Sequence, residues 1–108
     1  MKNGVYRTTS AEGAPPGTPI DLDQPVFEAF ARALSFPKWF GGNWDALEDC
    51  LTEHSGVLVI RNATPGEELG TLVDVLEAVA DYWRARKKPF VAVFVDPHAK
   101  LRLPELPR

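Results

Sequence analysis

Asp45, Glu48, Asp49 and Glu53 are the residues whose type and spacing most invite chemistry, with Trp39 a few positions upstream beside two glycines. At about 100° per residue, Asp45, Glu48, Asp49, Thr52 and Glu53 share one side of a helix, while Trp44, Ala46, Leu47, Cys50 and Leu51 fall on the other. One face is built for burial; the other carries only negative charge, with Lys38 in the preceding loop as the nearest cation. A pair of carboxylates can serve as acid and base in glycoside hydrolysis. That chemistry needs two environments that push the two pKa values apart, and Asp45 and Asp49 share a single exposed face. A metal site from Asp45, Asp49 and His54 fails on geometry, because His54 points about 180° away from Asp45 on a helix. His98 has no companion ligand, and no metal or cofactor is expected. Gly41-Gly42 precedes a helix as a phosphate loop would, but Asp45 in the first turn would repel the phosphate. What remains is binding: large aromatics beside unpaired charge are typical of protein-interface hot spots. The same face is also compatible with an ordinary solvated helix surface.

The local sequence explains how these groups would be positioned. Pro37 bars Phe36 from helical geometry, and Gly41-Gly42 lets the chain turn just before the next element. Asn43 is suited to cap the first turn, so the expected helix runs from about 44 to 52. Its charge is not arranged for stability. Asp45 and Asp49 repel at i,i+4, and Glu53 sits where the helix dipole disfavours an anion.

Around this stretch, residues 4–9 are β-prone, and residues 10–20 hold Gly13, Pro15, Pro16, Gly17 and Pro19, the composition of an irregular loop. Val26, Phe27, Phe30, Ala33 and Leu34 keep helical spacing over residues 21–35, with Pro25 in the first turn and Asp21 or Asp23 as the cap. Residues 57–60 (Val-Leu-Val-Ile) and 90–95 (Phe-Val-Ala-Val-Phe-Val) are continuous apolar runs suited to strands buried on both faces. Between them Leu69, Leu72, Val73, Leu76, Val79, Ala80 and Trp83 mark a long amphipathic helix, stopped by Lys87-Lys88-Pro89. Strands separated by crossover helices imply an α/β fold: a small single domain with a three-stranded parallel sheet in the order β-α-α-β-α-β. The domain is expected over residues 1–96, with residues 97–108 as a Pro-containing extended tail.

With 108 residues the chain suits one core, and its 25% charged residues are ordinary for a globular protein. A net charge of −3 argues against direct nucleic-acid binding. Negative charge is concentrated at 45–53, whereas Arg84, Arg86, Lys87, Lys88, Lys100, Arg102 and Arg108 make the C-terminal quarter basic. No apolar run is long enough to span a bilayer, and the N-terminus lacks a signal-peptide core, so a cytoplasmic location is expected. Cys50 is the only cysteine, which fits a reducing compartment. Its place on the apolar helix face makes it a core residue.

Pro37, Trp39-Phe40, Gly41, Asn43, Asp45-Ala46-Leu47 and Asp49-Cys50-Leu51-Thr52 together resemble the loop-and-helix motif of the barstar family, small intracellular inhibitors of secreted bacterial ribonucleases. The resemblance implies a small α/β fold, no enzymatic activity, and a one-to-one complex with a basic, barnase-like ribonuclease whose active site the acidic helix occludes. Such immunity proteins mimic substrate phosphates. Carried onto this chain, Asp49 is the main plug and Asp45 its partner; Trp39 is the aromatic contact, Gly41 and Asn43 shape the loop, and Thr52 marks its far end. Glu48 stands where a well-known member has tryptophan and Trp44 where it has leucine, which redistributes aromatic bulk and charge and points to a different target. An acidic residue of the last helix also contributes in the family, and Asp81 is the nearest candidate. The alternative is a non-inhibitory binding or regulatory module that turns the same face to another basic protein.

Overall fold

The two apolar runs form the middle of a sheet; residues 90–94 are buried on both faces as expected, whereas in the other run Val57 and Val59 are only half-buried, so one of its faces still reaches water. A computed structural model describes residues 2–107; Met1 and Arg108, the last of the basic residues named above, lie outside them. The chain runs β1 (Gly4–Thr8), β2 (Thr18–Asp21), α1 (Val26–Leu34), α2 (Trp44–Leu51), β3 (Gly56–Arg61), α3 (Glu67–Ala85) and β4 (Phe90–Val95). All strand pairs are parallel, in the order β1-β4-β3-β2.

The sheet therefore has four strands rather than three, and the element order is β-β-α-α-β-α-β. The additional strand is β2, inside the stretch whose Pro and Gly content suggests only a loop. Its proline is tolerated because β2 lies at an edge. Leu22 donates its amide to the Arg61 carbonyl at 2.8 Å, and Ile20 and Thr18 share its parity, so the nitrogen of Pro19 faces the open side.

Right-handed crossovers from β2 to β3 and from β3 to β4 put all three helices on one face of the sheet. There Val5, Ile20, Leu58, Ile60, Phe90, Ala92 and Phe94 meet Phe30, Leu47, Leu51, Leu72, Leu76, Val79 and Trp83 in the main core. Helix α1 begins after Pro25 and has no side-chain cap. The expected caps act elsewhere: the Asp21 carboxylate accepts from the Asp23 amide (3.0 Å) and from Asn62 Nδ2 (2.7 Å), tying the end of β2 to the turn after β3. The Asn62 bond, followed by that amide, holds the Asp21 carboxyl below its ordinary pKa.

The opposite face carries Val57, Val59, Val91, Val93, Tyr6 and Thr8. Val91 and Val93 are nonetheless buried. Since β1 and β2 sit at opposite edges, residues 9–17 must cross this face, a span of about 14 Å for three strand spacings. Two glycines touch the sheet on the way. A Cβ on Gly13 would lie 2.9 Å from Thr8 Oγ1, and one on Gly17 only 2.6 Å from the Val57 carbonyl oxygen.

The segment after β4 docks. Leu101 is buried and Leu103 packs against the core. The Arg7 amide donates to the Pro104 carbonyl, and the Leu106 amide to the Arg7 carbonyl, which adds a parallel bridge outside β1. Arg7 closes this edge: its Nε donates to Asp96 Oδ2 at 3.0 Å and one amino group to Glu105 Oε1 at 3.2 Å.

Candidate functional site

Helix α2 is held from behind and presents carboxylates in front. Leu47, Cys50 and Leu51 are fully buried, and Trp83 Nε1 of α3 donates to the Leu51 carbonyl at 3.2 Å. Asn43 caps the helix as expected, its Oδ1 accepting from the Ala46 amide at 2.8 Å. At the other end Thr52 is half-buried, and its hydroxyl donates to the Asp49 carbonyl. Asp45, Glu48, Asp49 and Glu53 are all exposed. Among the described residues none of them takes part in a salt bridge.

The loop before α2 is anchored by alternate aromatics. Phe36 and Phe40 are half-buried and meet edge to face at 5.0 Å; Phe40 also meets Phe27 of α1 at 6.2 Å. Phe40 donates its amide to the Pro37 carbonyl, which closes a tight turn. Trp39 lies within that turn and is turned outward, 65% exposed and the only large hydrophobic side chain so exposed among the described residues. Gly42 takes φ 66°, a left-handed conformation that favours glycine. Trp44 is half-buried and packs on Phe27 with ring centroids 4.9 Å apart, which makes it a roof over the core rather than a free contact.

Trp39, Gly41, Asn43, Asp45, Glu48, Asp49 and Thr52 thus belong to one continuous loop and helix. Asp81 does not join them. It lies on the flank of α3 turned toward β1, beside Gly4 and Val5, and is paired with Arg84, whereas Trp83 marks the flank turned toward α2. The reason is angular: two positions along a helix are separated by about 200°.

Cys50 is 1% exposed. Burial pushes its thiol pKa up, and the negative charges of Glu53 and Asp49 push in the same direction, so the thiolate needed for nucleophilic or redox chemistry is suppressed. Among the described residues no cluster of three or more His, Cys, Asp and Glu side chains could hold a metal ion. Among them, too, no helix is long and apolar enough to cross a membrane.

A capped helix with an acidic outer face is thus set beside an outward tryptophan on a small parallel α/β domain. A family model described as "Barstar (barnase inhibitor)" matches residues 17–95, and the chain belongs to that family. The match opens at the edge of β2 and closes with β4, leaving β1 and the docked C-terminal segment outside it. No curated protein and no solved structure gives a significant match.

Proposed function

We propose that this chain is a protein inhibitor of a basic, barnase-like ribonuclease, and that it acts from the cytoplasm by occluding the nuclease active site in a one-to-one complex. Family membership supports an inhibitor rather than an enzyme. The observation that carries the mechanism is the unpaired acidic face of α2, with Asp45, Glu48 and Asp49 exposed on a helix fixed behind by Leu47, Cys50 and Leu51. An RNA-cleaving site gathers cations around the scissile phosphate. A rigid set of carboxylates can replace that phosphate, speed encounter by long-range attraction and block the site without being cleaved. Asp49 is the central plug, Asp45 supports it one turn earlier, and Trp39 supplies apolar contact area at the rim.

Asp49→Ala tests this directly. Its side chain is exposed and carries no structural bond, so folding should be unchanged while affinity for the cognate nuclease falls by about 3 kcal/mol or more, because the nuclease cations are left unpaired. Unchanged inhibition by the variant would sink the mechanism. Glu48 favours a second reading, since a carboxylate in place of an aromatic suits a partner with an additional cation. An Asp49-dependent complex with a basic protein that cleaves no RNA would identify the chain as a non-inhibitory module.

A further inference from the structure

Among the described residues, the basic side chains of the C-terminal quarter divide into two groups in space, and one of them surrounds a concave surface. Where α3 ends and β4 begins, Lys2, Asn3, Arg84, Lys87, Lys88 and Pro89 line an open crevice of about 510 Å³. None of these residues is acidic. The floor is fixed by hydrogen bonds between distant parts of the chain: Asn3 Nδ2 donates to the Lys88 carbonyl at 2.8 Å and to the Ala80 carbonyl at 3.4 Å. Arg84 donates one amino group to the Asn3 carbonyl at 2.8 Å and the other to Asp81. Asp81 is thereby occupied as a counter-ion to Arg84. Lys2, Lys87 and Lys88 are exposed and have no ion-pair partner among the described residues. Arg86 is not part of the lining; its guanidinium lies 3.6 Å from the centroid of the Tyr82 ring.

Cations at a helix C-terminus favourably offset its partial negative charge, and Arg84, Arg86 and Lys87 would be expected there on that ground alone. Lys2 is not explained in this way. It comes from the other end of the chain and is held at the crevice through its neighbour Asn3. With Arg84 neutralised by Asp81, three unpaired lysine ammonium groups remain around one concavity; they exceed the half-charge of the dipole and match a ligand with several closely spaced anionic oxygens.

We infer that this crevice binds adjacent phosphate groups, either a free pyrophosphate-type anion or the phosphodiester backbone of single-stranded RNA. The net charge of −3 is an average that conceals this site. Lys2, Lys87 and Lys88 supply point charges to the phosphate oxygens, and Arg84, already oriented by Asn3 and Asp81, forms one wall. The crevice shares no residue with the acidic face, so phosphate binding and nuclease binding are separable.

Calorimetry of the full chain with inorganic pyrophosphate, and fluorescence anisotropy with a short labelled oligouridylate, test the site at low ionic strength. Binding in at least one arm is expected, and the responding arm identifies the source of the phosphates. Lys2→Glu combined with Lys88→Glu should weaken it about tenfold or more, with a shallower salt dependence. Both side chains are exposed, and an unchanged thermal melt verifies the fold. Lys100→Glu with Arg102→Glu makes the same change in net charge elsewhere and should leave binding within about twofold of the parent. No binding in either arm would overturn the proposal, as would an equal loss in both double variants.

Discussion

At the residue scale, single charges fall into two settings, exposed and unpaired or buried and bonded. The α2 carboxylates are exposed and unpaired, whereas Asp96 is 5% exposed and fully engaged. Its Oδ1 and Oδ2 accept from the amides of Lys100 and Leu101 at 2.9 Å each, and Oδ2 also accepts from Arg7 Nε. Burial alone would push the Asp96 carboxyl up. The Leu101 and Lys100 amides and the Arg7 charge outweigh it and hold the pKa below the usual value. A carboxyl with a lowered folded-state pKa contributes stability that is complete above its unfolded value of about 3.9 and is lost as pH falls toward the folded value. Stability should therefore decline below about pH 4, and Asp96→Asn should flatten that acid limb in denaturant titrations. Asp96→Ala removes the buried partner of Arg7, leaving it only the exposed Glu105 and a backbone carbonyl, and should cost about 3 kcal/mol at neutral pH.

At the scale of elements, the sequence is most legible where one physical effect dominates. The Asn43 cap, the two-sided division of α2 and the strand at 90–95 follow from single strong signals, and the structure reproduces them. β2 is hidden because its identity depends on context: Thr-Pro-Ile-Asp reads as a turn until an edge position leaves the Pro19 nitrogen facing outward. The start of α1 is obscured for a similar reason, as Asp21 is engaged by Asn62 from a distant turn. Docking of the last segment has no periodic signal, since it rests on Leu101, Leu103 and a backbone bridge.

The crossing segment makes an element-scale prediction, sharpened by a second glycine with opposite surroundings. Gly17→Ala forces a methyl against the Val57 carbonyl and should destabilise the protein by about 1 to 3 kcal/mol. Gly70, inside α3, has open space where a methyl would stand, with nothing within 4 Å, so Gly70→Ala should stabilise by about 1 kcal/mol through helix propensity. Chemical denaturation of the two variants measures both effects.

At the scale of the whole molecule, charge is polarised: an acidic face on α2 and a basic crevice where α3 meets β4. Encounter with a basic nuclease should be steered by the acidic face, so association should slow by about tenfold between low salt and 0.15 M salt, where the Debye length shortens to about 8 Å. Stopped-flow mixing reads this directly, and the dissociation rate should change far less. The segments outside the family match also support each other, since Arg7 of β1 is bracketed by Asp96 and Glu105. Deleting residues 97–108 removes Leu101 from the core, the Glu105 partner of Arg7 and the amides that hold Asp96. The midpoint of thermal unfolding should fall by about 4 to 8 °C for each kcal/mol lost.

The position of β1 also sets an order of events during synthesis. Among the named strands it pairs with β4 alone, with Gly4 opposite Val91 and Thr8 opposite Val95. Residues 4–8 leave the ribosome well before β4, yet the edge they occupy does not exist until that strand has been made. At about 5 to 20 residues per second the wait lasts several seconds. β1 thus precedes β4 in translation but cannot be seated in the sheet until β4 has emerged.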